Sequence, residues 1–372
     1  MKLKDSGKPQ LNSQMGAVVI VTVLVVLLIL GIVLIPNINK TKDPSDKVFD
    51  YLAEAGEKFV YGDGTPIIDE PPQTGSGVNS PSDLDFWELY PEKKDEPQVD
   101  GSEQSSSGKE EEPEEEDPSK DGKHTLVVNR NGEEEWVLIS QYLPKHDYDY
   151  TNLVSKNDRL EYYIDGKKSS YIGIDISKYQ DYIDFVKVAK DGIDFVMIRV
   201  GSRGYGTGQI TLDDYFFDNI KRATDAGLHV GVYFSSQAIT AEEAAEEAQI
   251  VIDSLGEYRI DYPICFDMEF VRNDTARVEI LSKADRTTVA KAFLDKVREN
   301  GYTGMIYGDK EWLIKEVDMS KLTDFDVWFS QEKDLPDYPY KFSMWQYKKN
   351  GTVDGVSGFV DLNISFVDYT EK

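Results

Sequence analysis

The sequence predicts an α/β protein: a modified, TIM-like (β/α) barrel with fewer helices in its last third, preceded by a transmembrane helix, an acidic linker and a small β-rich lead-in. Three observations carry this prediction. From Tyr171 onward, short apolar runs alternate with amphipathic stretches, the pattern of a parallel sheet covered by helices. Residues 15–36 are apolar throughout apart from Thr22 and carry no charge. The net charge of −28, from 41 Lys and Arg against 69 Asp and Glu, is unevenly spread, with a dense acidic tract at 110–117.

Residues 1–14 read as a cytoplasmic tail and 15–36 as the anchor. At 1.5 Å per residue that stretch spans a hydrocarbon core of about 30 Å. A cleaved signal peptide is the competing reading, but the stretch is long for one, and Ile32-Val33-Leu34-Ile35-Pro36-Asn37 offers no small-residue cleavage site. Lys2, Lys4 and Lys8 on one side face Lys40, Lys42 and Lys47 on the other, so only the free amino terminus favours an inside N-terminus. The expectation is a single-pass protein of the cell membrane with its main domain extracellular.

Residues 37–122 are poor in aliphatics and rich in Asp, Glu, Pro, Ser and Gly, a composition that cannot support a packed core and repels itself. They read as a largely disordered tether. At 123–170 the texture turns β-like: 125–128 and 135–139 flank an Asn131-Gly132 turn signal, and 160–164 precedes Asp165-Gly166. The barrel domain occupies 171–372. Its strands read as 173–176, 195–200, 229–234, 262–269, 304–307, 326–329, 342–347 and 360–366, with helices at 183–190, 214–226, 241–255 and 285–300. Gly227 and Gly301 sit where left-handed helix caps belong.

Four acids interrupt these apolar strands: Asp175, Asp267, Glu269 and Asp361. A buried carboxylate is costly unless it is compensated. Residues two apart in a strand share a face, so Asp267 and Glu269 are expected side by side. Two carboxyls in one pocket raise one pKa, setting a proton donor beside an anion, the working pair of a glycosidase. Each acid alone reads more simply as a solvated strand end or helix cap. Four at strand ends of one barrel converge on its C-terminal mouth.

Other features read as structure. The single cysteine, Cys265, lies in an apolar strand and excludes an intramolecular disulfide. His124, His146 and His229 are scattered, and no calcium-loop spacing is present, so neither metal nor cofactor is expected. The Gly-rich stretch 201–208 lacks the lysine-serine pair of a phosphate loop and reads as a flexible rim. A chain of charge −28 is repelled by phosphate, so nucleic acid is not a partner. No protein partner is legible.

The stretch 171–369 resembles the glycoside hydrolase family 25 lysozymes, N-acetylmuramidases with a modified α/β barrel. The resemblance rests on Gly173-Ile174-Asp175-Ile176-Ser177 with Gln180, Ile198-Arg199-Val200-Gly201, Gly227-Leu228-His229-Val230-Gly231-Val232-Tyr233, Phe266-Asp267-Met268-Glu269, and Trp345-Gln346-Tyr347 with Val360-Asp361-Leu362-Asn363. Asp181 stands where that family usually has Gly, and Phe329-Ser330-Gln331-Glu332 replaces a more typical Ala-Gln-Tyr. The resemblance implies peptidoglycan strands as substrate and Glu269 as proton donor, its pKa raised by Asp267. Asp267 would stabilise the transition state or orient the sugar's acetamido group, and Asp175 and Asp361 would tune the pair. Tyr233, Tyr307, Trp328 and Trp345 are candidates to stack on sugars, although barrel aromatics are more often core. Arg199 is a further substrate-binding candidate, or a partner of one of the acids. The rival reading is a non-catalytic glycan-binding scaffold on the same fold.

Overall fold

The computed structural model describes residues 117–271 and 274–371. The expected anchor at 15–36, and the linker apart from its last residues, lie outside them. Among the described residues no helix is long and apolar enough to cross a membrane.

The chain enters through a hairpin of β1 (His124–Val128) and β2 (Glu134–Leu138), antiparallel with Val128 opposite Glu134. Gly132 supplies the positive φ of +82° that the turn requires. A second small sheet follows, made of β3 (Leu153–Lys156), β4 (Arg159–Ile164) and β5 (Lys167–Lys168). Tyr148, between the two, stacks on Phe366 with ring centroids 4.2 Å apart and donates its hydroxyl to the Phe342 carbonyl at 2.6 Å. These contacts fasten the segment to the barrel.

The barrel is built from β6 (Tyr171–Ile176), β7 (Phe195–Arg203), β9 (His229–Ser235), β10 (Ile264–Asp267), β11 (Gly304–Asp309), β12 (Asp326–Ser330), β13 (Met344–Gly351) and β14 (Val360–Ser365). It closes where β14 meets β6, while β8 (Ile210–Leu212) pairs with the outer end of β7. The alternation of strand and helix predicts a parallel sheet throughout; the structure corrects this at one strand. β14 runs antiparallel to both β13 and β6. An antiparallel return needs a loop rather than a crossover helix, which is one reason helices are sparse at this end.

Helices α1 (Phe185–Lys190), α2 (Phe216–Asp225), α3 (Ala241–Leu255) and α4 (Lys283–Glu299) cover the first part of the barrel. Thr240 and Ser282 open α3 and α4, their side chains accepting from the backbone N–H groups of Glu243 and Asp285. After β11 a short π-helical turn, Trp312–Glu316, and a 3-10 turn, Met319–Lys321, stand in place of a full helix.

Strand alternation divides the core in two. Outward residues such as Ile174, Ile198, Phe266 and Ile306 pack under the helices, while Phe195, Met197, Cys265, Met305, Trp328 and Met344 fill the barrel itself. Phe195 closes the floor, stacked on Tyr262 at 4.2 Å. Gly173 makes room for it, since a Cβ there would meet the Phe195 ring at 2.2 Å. With its lower part filled, the barrel can admit a ligand only at the opposite mouth.

Candidate active site

At that mouth the interior positions turn polar. Asp175 stands on β6 directly opposite Asp361 on β14. Because β14 is reversed, Asp361 opens its strand where Asp175 approaches the end of its own, and both still reach the same rim. The Gln346 side chain on β13 joins them, Nε2 donating to Asp175 Oδ2 at 2.9 Å and to Asp361 Oδ2 at 3.1 Å. Its own orientation is fixed from the other side, since Oε1 accepts from Tyr307 at 2.9 Å and Ser330 at 2.7 Å. Asn363 repeats the device: Nδ2 donates to Asp175 Oδ2 at 2.8 Å, and Oδ1 accepts the Trp328 indole N–H at 2.8 Å. The Trp328 indole N–H, which cannot accept, settles the flip of Asn363, and the two carboxyl oxygens facing Gln346 Nε2 set that of Gln346.

Asp267 ends β10. Ser235, its neighbour on β9, donates to Oδ2 at 3.0 Å, while Oδ1 is buried without a protein partner. Burial pushes the Asp267 carboxyl up to about 6, opposed by the Ser235 hydrogen bond and the charge of Arg199 and reinforced by Asp175. Burial also raises Asp175, against the pull of Asn363 and Gln346. Asp361 is raised well above the ordinary carboxylate value, first by burial and then by the charge of Asp175 opposite. All three carboxyls are thereby raised, and groups this close titrate together rather than independently.

Glu269 lies beyond the strand in which the sequence places it. The apolar pattern predicts a strand to 269, but β10 stops at Asp267, so the pleat does not set the direction of Glu269. The stretch after β9 places it instead: Ser236 N–H donates to the Asp267 carbonyl at 2.6 Å, and Gln237 Nε2 to the Glu269 carbonyl at 2.9 Å. Glu269 still belongs to the cluster, because its charge contributes to raising both the Tyr307 phenol and the Asp361 carboxyl.

The aromatic candidates separate by face. Tyr233 is partly open at the mouth, its ring edge-on to Trp328 at 6.0 Å. Tyr307 and Trp328 are interior but buried, with their polar atoms spent on Gln346 and Asn363. Trp345 corrects the expectation that it stacks on substrate. Its neighbours Met344 and Gln346 point inward, so its indole points outward, fully buried and donating to the Gln331 carbonyl at 2.8 Å.

Arg199 is committed to a partner the sequence did not suggest. It is buried against Asp213, with Nε at 2.9 Å and Nη2 at 2.8 Å from the same oxygen. Its charge reaches Asp267 through space, so it acts on the site electrostatically. The Gly-rich rim is likewise better tied down than its composition suggests. β7 runs on to Arg203, whose buried guanidinium bonds Glu247, Glu246 and the Gly208 carbonyl at 2.7, 2.7 and 2.9 Å.

Sequence reasoning gave no role to Gln346, Asn363 or Ser235, which lie beside the acids in the barrel register. It also missed Lys349, whose charge opposes the rise of Asp175, Asp267 and Asp361. The signal was available for the two amides, since polar residues at inward positions of otherwise apolar strands need a buried partner. Among the described residues no group of three or more His, Cys, Asp or Glu is placed to hold a metal ion.

A closed barrel with four acids gathered at one mouth, three of them with raised pKa, is an arrangement suited to carboxylate-dependent glycoside hydrolysis. The family model described as glycosyl hydrolases family 25 matches residues 174–356, and this stretch of the chain belongs to that family. The chain is 24% identical over 235 residues to the uncharacterized protein YegX of Escherichia coli (strain K12), covering 61% of this chain and 79% of that one. It is 24% identical over 192 residues to the autolytic lysozyme of Clostridium acetobutylicum, covering 51% and 54%. A solved structure of the modular autolysin LytC from Streptococcus pneumoniae, in complex with a synthetic peptidoglycan ligand, is 19% identical with a TM-score of 0.48, covering 65% of this chain and 56% of that one. The bacterial lysozyme from Streptomyces coelicolor is 24% identical with a TM-score of 0.44, covering 52% and 90%. The chain thus spans just over half the length of the autolytic lysozyme and of LytC.

Proposed function

We propose that this chain is a peptidoglycan hydrolase, an N-acetylmuramidase cleaving the β-1,4 bond between N-acetylmuramic acid and N-acetylglucosamine. The observation that carries the reading is the meeting of Asp175, Asp361 and Asp267 at one mouth of the barrel, with the Asp267 carboxyl raised by burial and Glu269 two residues on. Glu269 gives its proton to the glycosidic oxygen as the bond to the anomeric carbon breaks. Asp267 faces the positive charge that develops on the sugar ring, or holds the 2-acetamido group so that its carbonyl oxygen attacks the anomeric carbon. Water completes hydrolysis and returns a proton to Glu269. Asp175 and Asp361, fixed by Gln346 and Asn363, keep the pair's charge and geometry in place. Tyr233 offers a ring face to a bound sugar.

The same reading holds the enzyme at the cell membrane through residues 15–36, with the barrel outside and the acidic segment as tether. Some eighty residues of charged chain reach well over ~100 Å when stretched, at about 3.3 Å per residue. The tether would confine lytic activity to nearby wall. The expected partners are glycan strands and, through the anchor, the membrane.

Digestion of purified peptidoglycan followed by borohydride reduction tests the bond. Reduced muramic acid at the new ends supports the reading, and reduced glucosamine ends would replace it with a glucosaminidase. Retained wall binding without any cleavage would point to the glycan-binding scaffold. Protease treatment of intact cells tests the topology: a barrel protected until lysis would place it inside and end the tether proposal.

A further inference from the structure

The family match begins at residue 174, so the hairpin of β1 and β2 is an addition to the barrel. Its turn does not hang in solvent. Arg130, at the tip, donates its backbone N–H to Glu311 Oε2 at 2.8 Å. Its guanidinium forks onto Glu279, Nη1 to Oε1 and Nη2 to Oε2, both at 3.2 Å. The same guanidinium lies over the Phe270 ring, 4.4 Å from its centroid. Phe270 is the residue directly after Glu269. Its ring is also approached by Arg286, 4.9 Å from the centroid, and by the edge of Trp312 at 5.0 Å.

These contacts meet where the barrel's own order ends. β10 stops at Asp267, and the chain runs on past the end of that ladder through Glu269 to Phe270. A planar fork on a carboxylate fixes direction as well as distance, and a cation over a ring holds that ring's plane. Arg130 therefore links Phe270, beside the acid, to Glu279, farther along the same connection. A two-stranded hairpin is marginal by itself, so the pairing steadies both parties.

We propose that the hairpin is a brace for the active site, with Arg130 a positioning residue that sets Glu269 through Phe270. The inference rests on the reading of Glu269 as the acid. A misplacement of about 1 Å in a catalytic group costs on the order of a hundredfold in rate, so the brace acts on kcat more than on substrate binding.

The test compares Arg130→Ala, Arg130→Lys and Glu135→Gln in the purified full chain. Glu135 binds Lys315 elsewhere along the hairpin, so its loss removes one hairpin–barrel contact and leaves the Arg130 fork and its contact with Phe270 in place. Arg130→Ala is expected to lower kcat by about ten- to a hundredfold with KM changed less than twofold. Arg130→Lys keeps the charge but not the fork and recovers part of the loss. Glu135→Gln lowers the melting temperature and leaves kcat in place. If Arg130→Ala does not fold, Glu279→Gln removes the other half of the fork and is expected to lower kcat likewise. Wild-type kcat in folded Arg130→Ala, or equal kcat losses in Arg130→Ala and Glu135→Gln, would overturn the brace. If the wild-type protein cleaves nothing, the hydrolase reading fails by itself. Amide exchange at Phe270 and Val271 then decides the brace: faster in Arg130→Ala than in Glu135→Gln supports it, and unchanged rejects it.

Discussion

Asp361 stands directly across the β14–β6 ladder from Asp175, and one amide nitrogen, Gln346 Nε2, donates to both. Two carboxyls so placed cannot both ionise cheaply, and burial raises each of them. Gln346→Leu keeps the side chain's bulk but leaves this pair without its shared donor and Tyr307 and Ser330 without their acceptor. The variant is expected to fold and to lose about ten- to a hundredfold in kcat, on the scale of an oriented donor at an active site. Asn363→Ala should behave similarly through Asp175 alone. Steady-state hydrolysis, with circular dichroism to confirm folding, checks both.

The raised carboxyls predict an acid limb in the pH–rate profile. In the proposed mechanism Asp267 acts in its ionised form, so activity is expected to rise as pH passes through about 6. The stability effect has the opposite sign. A carboxyl whose folded pKa lies above its unfolded value of about 3.8 binds protons more tightly when folded, so stability falls as pH rises from about 4 through 6. Asp267→Asn should therefore lose about a hundredfold or more in activity, yet gain stability relative to wild type between pH 5 and pH 7. Melting curves at the two pH values read the difference.

Asp181 shows how a departure in sequence becomes a feature of the backbone. It ends the 3-10 turn Lys178–Gln180 at φ +49° and ψ −141°, a conformation that suits glycine. A non-glycine residue held there costs on the order of 1–3 kcal/mol. Asp181→Gly is expected to recover about 1 kcal/mol, less than the full strain because glycine also gains freedom in the unfolded chain. Urea unfolding measures it, and no gain would show that the Asp side chain repays the strain locally.

Tyr233 and Trp345 were equal candidates in the sequence and are unequal in the structure. Tyr233→Ala is expected to raise KM by about tenfold, the loss of roughly one sugar–ring contact. Trp345→Phe should leave KM unchanged and lower stability instead, because the indole is buried on the outer face with its N–H on the Gln331 carbonyl. A KM shift in the second variant but not the first would reverse this assignment.

How far the sequence carried the account follows from what each signal measures. The eight barrel strands were legible because buried strands are near-continuous apolar runs, and the acids stood out because they break those runs. The reversal of β14 was not legible, since alternation along a strand is the same in either direction. The end of β10 at Asp267 was missed because Met268 continues the apolar pattern beyond the ladder. Trp345 was misplaced because its face depends on a register that only its neighbours Met344 and Gln346 reveal. Arg130 carried no signal at all: a charged residue in a turn looks solvated until the loop it contacts is known.

The most direct test is hydrolysis of purified peptidoglycan by the wild-type protein beside Glu269→Gln, which keeps the shape and removes the transferable proton. New muramic acid reducing ends from wild type, reduced at least a thousandfold in the variant, is the predicted result for a general acid. Equal release of reducing ends by the two proteins would contradict the assignment of Glu269 and the account built on it.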